Sequence, residues 1–145
     1  MRKILLFTFL IFSSLNAQIK ENSLNEKILA WGDYYFFNKK YEKAISFYLD
    51  YEGELPDKNI RNLARAYFEI GRVDDAEKSL KPIVDSDFAE VIDYYHYTNY
   101  ITNNQSLKDE YIEKALKLPI KNKMDSNENS SEDLAKDQYA LNNLE

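Results

Sequence analysis

A chain of 145 residues has room for one domain of ordinary size and little more. Its formal charge of −6 argues against nucleic acid as a partner, and the absence of cysteine excludes disulfides, thiolate chemistry and cysteine-based zinc sites. A single histidine, His96, excludes a multi-histidine metal centre, and three glycines with three prolines are too few for the corners of an all-β fold.

The chain opens on Arg2-Lys3, followed by Ile4–Phe12, which is apolar except for Thr8, and then Ser13-Ser14-Leu15-Asn16-Ala17. A basic start, a short apolar core and a small residue at the end predict a secretory signal peptide over residues 1–17, cleaved after Ala17. The apolar run is too short to span a bilayer comfortably as a helix. No cysteine follows it to carry a lipid. Export without cysteine suits a bacterial envelope, so the expected location is the periplasm or the outer-membrane surface, with any membrane contact made through partners.

Capping signals then mark out helices. Ser23 with Glu26 three residues on is a capping box, predicting a helix to about Asn38. A second is expected from Tyr41 to about Glu52, stopping before Gly53. Asp57 can cap a third that runs to Ile70, with Gly71 ending it. A fourth is expected from Val73 to about Leu80, with an extension to Val84 kinked by Pro82. Asp87 with Glu90 predicts a fifth to about Ile101, and Ser106 with Asp109 a sixth that stops at Leu118 before Pro119. The class is therefore all-α.

The middle of the chain repeats itself. Gly32 and Ala64, Tyr35 and Tyr67, and Ala44 and Ala76 are each separated by 32 residues. The first passage carries Ile28, Trp31-Gly32, Tyr35, Ala44, Tyr48 and Pro56; the second carries Ile60, Leu63-Ala64, Tyr67, Gly71, Ala76 and Leu80. This order of small and large residues resembles the tetratricopeptide repeat, a helix pair whose pattern recurs roughly every 34 residues. The resemblance covers about Asn25–Asp87. It departs in a connection two residues short, in Tyr51 where a small residue is usual, and in Pro82. It implies an antiparallel helix-pair solenoid over 18–119, with two clear repeats and a degenerate third carrying Leu107, Tyr111, Ala115 and Leu118. Small residues would sit where helices cross, and large ones would fill the space between pairs.

From residue 120 the composition changes. Lys121–Asp133 is nearly all Lys, Asn, Asp, Glu and Ser, with Met124 the one apolar residue, too polar to offset ordering entropy. Residues 120–145 are thus expected to form a disordered polar tail or linker, although Tyr139–Glu145 regains apolar residues compatible with a short helix. The order of signal peptide, repeats and polar linker resembles the N-terminal part of OmpA-like envelope proteins of gliding, type IX-secreting bacteria. There, a propeller-like domain and a peptidoglycan-binding domain follow, so the resemblance implies a fragment or truncated relative of such a protein.

Chemistry for catalysis is sparse. His96, in Asp93-Tyr94-Tyr95-His96-Tyr97, has no recognisable nucleophile motif beside it. Asp74-Asp75 sits at a helix start, where the dipole favours acids. No phosphate loop or calcium loop is present, so no enzyme activity, cofactor or metal is expected. The resemblance instead directs attention to the first helix of each pair, which lines a concave groove in tetratricopeptide folds. By register this gives Asp33, Phe36 and Phe37 in the first repeat, Arg61, Asn62, Arg65 and Phe68 in the second, and His96 and Tyr100 in the third. Of the clamp that chaperone-binding members use, Asn62 alone is matched. Two readings result: a non-catalytic module that holds another envelope protein or peptide segment in this groove, and a structural spacer at the start of a longer envelope protein.

Overall fold

The computed structural model describes residues 24–118 together with 139, 140, 142 and 143. Helices joined by short connections account for them, with no strand among the described residues. The proposed signal peptide, the Ser23 cap and most of 120–145 lie outside this set. The chain divides into two compact units, Met1–Leu55 and Pro56–Glu145.

In the first unit, α1 covers residues 24–37 and α2 covers Tyr41–Leu49. Their crossing depends on Gly32. A Cβ there would lie 2.5 Å from Cε1 of Tyr48, so only a glycine lets the ring lie against the α1 backbone. Tyr48 is buried, and its hydroxyl donates to Asp33 Oδ1 at 2.7 Å. Tyr35 of α1 stacks on Phe47 of α2, with centroids 5.3 Å apart. Ala44 and Ile45 complete the buried face of α2. This helix ends at Leu49, short of the expected Glu52: the Asp50 N–H closes onto Ser46 O, and the chain extends through Tyr51 and Glu52 to Gly53, at φ 112°.

The second unit contains α3 (Asp57–Glu69), α4 (Val73–Val84), α5 (Val91–Tyr100) and α6 (Gln105–Lys117). Each packs on the next in sequence, and α3 also touches α5. The buried positions of α3 recur in α5 at a spacing of 34: Asn59 with Asp93, Leu63 with Tyr97, Ala64 with Thr98 and Ala66 with Tyr100. Tyr67, Val91, Tyr94 and Ile101, with Ala76, Leu80, Ile83 and Val84 of α4 and Tyr111 and Ala115 of α6, add to this core. Beyond α6, residues 139, 140 and 142 are helical, and Ala140 is fully buried.

Two turns share one geometry 32 residues apart. Lys39 N–H donates to Phe36 O and Lys40 N–H to Tyr35 O, each at 2.9 Å. Gly71 N–H donates to Phe68 O and Arg72 N–H to Tyr67 O, also at 2.9 Å. This is the double hydrogen bond of a Schellman helix end, which needs a left-handed residue. Gly71 supplies it at φ 78°, whereas Lys39 adopts φ 57° despite its side chain.

Several boundaries differ from the sequence expectation for local reasons. α4 runs to Val84 with Pro82 inside its last turn, on an exposed site, where the missing N–H costs one bond of the ladder. α5 starts at Val91, not Asp87: Ser86 accepts the Phe88 N–H and donates to Ile83 O, holding 85–89 as a turn, and Glu90 with Asp93 forms the capping box. Asn104 caps α6 through the Leu107 N–H at 3.0 Å, so a glycine-free loop still closes, and α6 begins at Gln105.

Candidate functional site

In the second unit, α3 and α5 leave an open cleft of about 370 Å³. Arg65, Phe68 and Glu69 line it from α3; Tyr95, His96, Asn99 and Tyr100 line it from α5. Spacings of three and four residues place each set along one helical face. The floor is aromatic. Phe68 and Tyr100 have centroids 4.8 Å apart, and His96 stacks over Tyr100 at 6.4 Å. Tyr95 meets His96 edge-on at 5.4 Å. Asn99 donates to the Tyr95 carbonyl at 2.8 Å, orienting its amide at the rim.

Charge in the cleft comes mainly from Arg65. Its side chain is exposed and makes only a loose pair with Glu69 at 3.7 Å, the kind of contact that contributes little. Burial lowers the His96 pKa, and Arg65 lowers it further, while Asp93 opposes them. The imidazole is therefore neutral at pH 7 and presents a ring edge with one donor and one acceptor. Burial likewise pushes the Tyr100 phenol well up, keeping it protonated. The cleft thus offers one cation, one acid at the margin, and a neutral aromatic bed.

Of the residues expected from sequence, Arg65, Phe68, His96 and Tyr100 come together here. Arg61 does not join them as a free donor. Its Nε donates to Asp93 Oδ1 and its Nη2 to Asp93 Oδ2, both at 2.7 Å. Asp93 is only 2% exposed, against 29% for the Arg61 side chain. The reason is positional: Asp93 is also the N3 residue of α5, where Oδ2 accepts the Glu90 N–H at 2.9 Å, and this holds it inward. Asn62 is half-buried on α3. Asp33, Phe36 and Phe37 belong to the first unit. There, Asp33 accepts the Tyr48 hydroxyl, Phe36 packs edge-on against Phe37 and Tyr41, and Phe37 is exposed.

The sequence reading missed Tyr95 as a rim residue and missed the Arg61–Asp93 pair. In the sequence the pair shows only as two opposite charges 32 residues apart, off the 34-residue spacing that relates α3 to α5. It also missed a polar cap on the far helices. Lys81 Nζ donates to Asp85 at 2.7 Å and to the Tyr111 hydroxyl at 3.0 Å, and that hydroxyl donates to Asp85 at 2.6 Å. Burial disfavours the Asp85 carboxylate, but the Lys81 and Tyr111 hydrogen bonds outweigh it and hold its pKa below the ordinary value. Under this cap, the Tyr97 ring meets Tyr111 at 4.7 Å, and its buried hydroxyl has no hydrogen-bond partner among the described residues.

Among the described residues, no cluster of His, Cys, Asp and Glu could hold a metal ion, and no helix is long and apolar enough to cross a membrane. No family model, curated protein or solved structure matches the chain.

Proposed function

We propose that this chain is a tetratricopeptide-like interaction module of a bacterial envelope, which binds a partner protein or peptide in the cleft between α3 and α5 and catalyses nothing. The observation that carries this reading is the cleft itself: an aromatic floor of Phe68, His96 and Tyr100 with Arg65 beside it. Aromatic rings and arginine are the side chains on which interface energies concentrate. Arg65 can take a partner's carboxylate, and the floor can take an apolar or aromatic side chain. The repeat assignment draws support from the matched turns 32 residues apart and from the burial of Gly32, Ala44, Ala64 and Ala76.

The test uses Arg65→Glu and Phe68→Ala in the full chain. Both side chains are exposed, so helical circular dichroism should stay unchanged. Each variant should lose the envelope proteins that co-purify with the wild type. Capture of the same partners at the same yield by both variants would overturn the reading.

The spacer alternative has its own support in α1, where Leu24, Trp31, Tyr34 and Phe37 are half or more exposed. An apolar row of that kind suits contact with a neighbouring domain. In that case the variants above change nothing, and substitutions on α1 disturb a longer protein.

A further inference from the structure

The far end of the chain returns to the same helix that lines the cleft. Tyr139 places its ring edge-on to Tyr95, with centroids 5.8 Å apart. Contact between the two hydroxyls pushes the Tyr95 pKa up, with burial adding to it. Ala140, next to Tyr139, is fully buried. The turn is internally bonded: Asn143 N–H donates to Ala140 O at 3.2 Å, and Asn143 Nδ2 to Tyr139 O at 2.7 Å. Tyr95 is thus shared: it lines the cleft and also receives Tyr139.

We propose that the turn carrying Tyr139 and Ala140 is a tethered ligand of α5, docked in cis at the rim of the cleft, and that a partner must displace it. This rests on the reading of the α3–α5 cleft as the binding surface. The segment also states the chemistry of the partner it competes with: a helical turn that presents an aromatic side chain followed by a small one. The aromatic member meets the Tyr95 ring edge to face, and the small member is fully buried. Such a pair adds an edge-to-face ring contact at low rotamer cost. Covalent attachment gives the tail an effective concentration on the order of millimolar, so it excludes weak competitors and yields to tight ones.

Tail-release variants of the full chain test this. Ala140→Asp places a charge at a buried site in the segment, and Tyr139→Ala removes the ring while leaving the backbone. A fluorescent peptide of residues 136–145 is titrated against wild type and both variants, with anisotropy as the readout. The expected result is saturable binding to both variants and binding about tenfold or more weaker to the wild type, whose site is filled. The same peptide with alanine in place of its tyrosine should not bind. Equal binding to wild type and variants, or binding to none of them, overturns the tethered-ligand proposal. Failure of that kind with Arg65→Glu still abolishing partner capture leaves the cleft reading standing; the reverse outcome removes the cleft reading and keeps the tail contact.

Discussion

Gly32 and Tyr48 give the sharpest test of the helix crossing in the first unit. Replacing Gly32 with Ala puts a methyl group 2.5 Å from Cε1 and 2.7 Å from Cδ1 of Tyr48. Carbon atoms prefer roughly 3.5–4.0 Å, so the ring or the helix must give by about an ångström. The ring has little freedom, because it is buried and its hydroxyl is held by Asp33. Overpacking of this kind costs about 1–3 kcal/mol. Alanine recovers about 1 kcal/mol of helix propensity over glycine, leaving a net loss on the order of 1 kcal/mol. In the second repeat, the corresponding positions hold Ala64 and Leu80, a larger residue paired with a smaller one. Gly32→Ala in a Tyr48→Leu background should therefore be neutral or stabilising by up to about 1 kcal/mol. Urea unfolding followed by helical circular dichroism measures the double-mutant cycle. The same loss in both backgrounds would refute the argument, since Tyr48 would then not be what glycine accommodates.

Other consequences follow from the same geometry. Arg61→Ala strips the bidentate partner from a carboxylate that is 2% exposed and should cost about 2–4 kcal/mol, below the full buried-pair penalty because Arg61 is part-exposed; a loss under about 0.5 kcal/mol in urea unfolding would contradict it. Tyr97→Phe removes a buried hydroxyl without a partner and should leave the thermal midpoint unchanged or raise it, whereas a clear drop would point to an unseen bond. Lys39→Gly relieves a left-handed residue and should stabilise by about 1 kcal/mol in the same urea assay, while Gly71→Ala should destabilise by a similar amount. His96 has a folded pKa below its ordinary 6.5, so the unfolded chain takes up its proton first as pH falls. The stability that neutral His96 contributes is complete above pH 6.5 and is lost as pH falls from there through the folded value. Its lone imidazole resonance should titrate below 6.5, and Arg65→Gln should move it upward.

Much of the helical pattern was legible because it rests on periodicity and on small residues. The spacing of Gly32, Ala44, Ala64 and Ala76 located helix faces that the structure buries. Helix ends were less legible, because they depend on which of several polar residues wins the cap. Glu90 and Asp93 form a reciprocal box that Asp87 cannot match, and Asn104, not Ser106, caps α6. Half of the site was legible for a related reason. Arg65, Phe68, His96 and Tyr100 follow from register on two helices. Arg61 shares that register, yet its role was set by Asp93, 32 residues away, which register on one helix cannot reveal. The docking of Tyr139 on Tyr95 was hidden too, since nothing local in a polar tail says where its last turn lands.

The central claim is that the cleft between α3 and α5 is a binding surface. Backbone amide NMR of the full chain, titrated with a panel of short peptides that carry an aromatic–alanine pair and a neighbouring carboxylate, tests it most directly. The account predicts saturable shifts concentrated at Arg65, Phe68, His96, Asn99 and Tyr100, larger in the Ala140→Asp variant and lost in Arg65→Glu. Shifts that are absent throughout the panel, or that fall on α6 or α1 with the cleft unmoved, would contradict it.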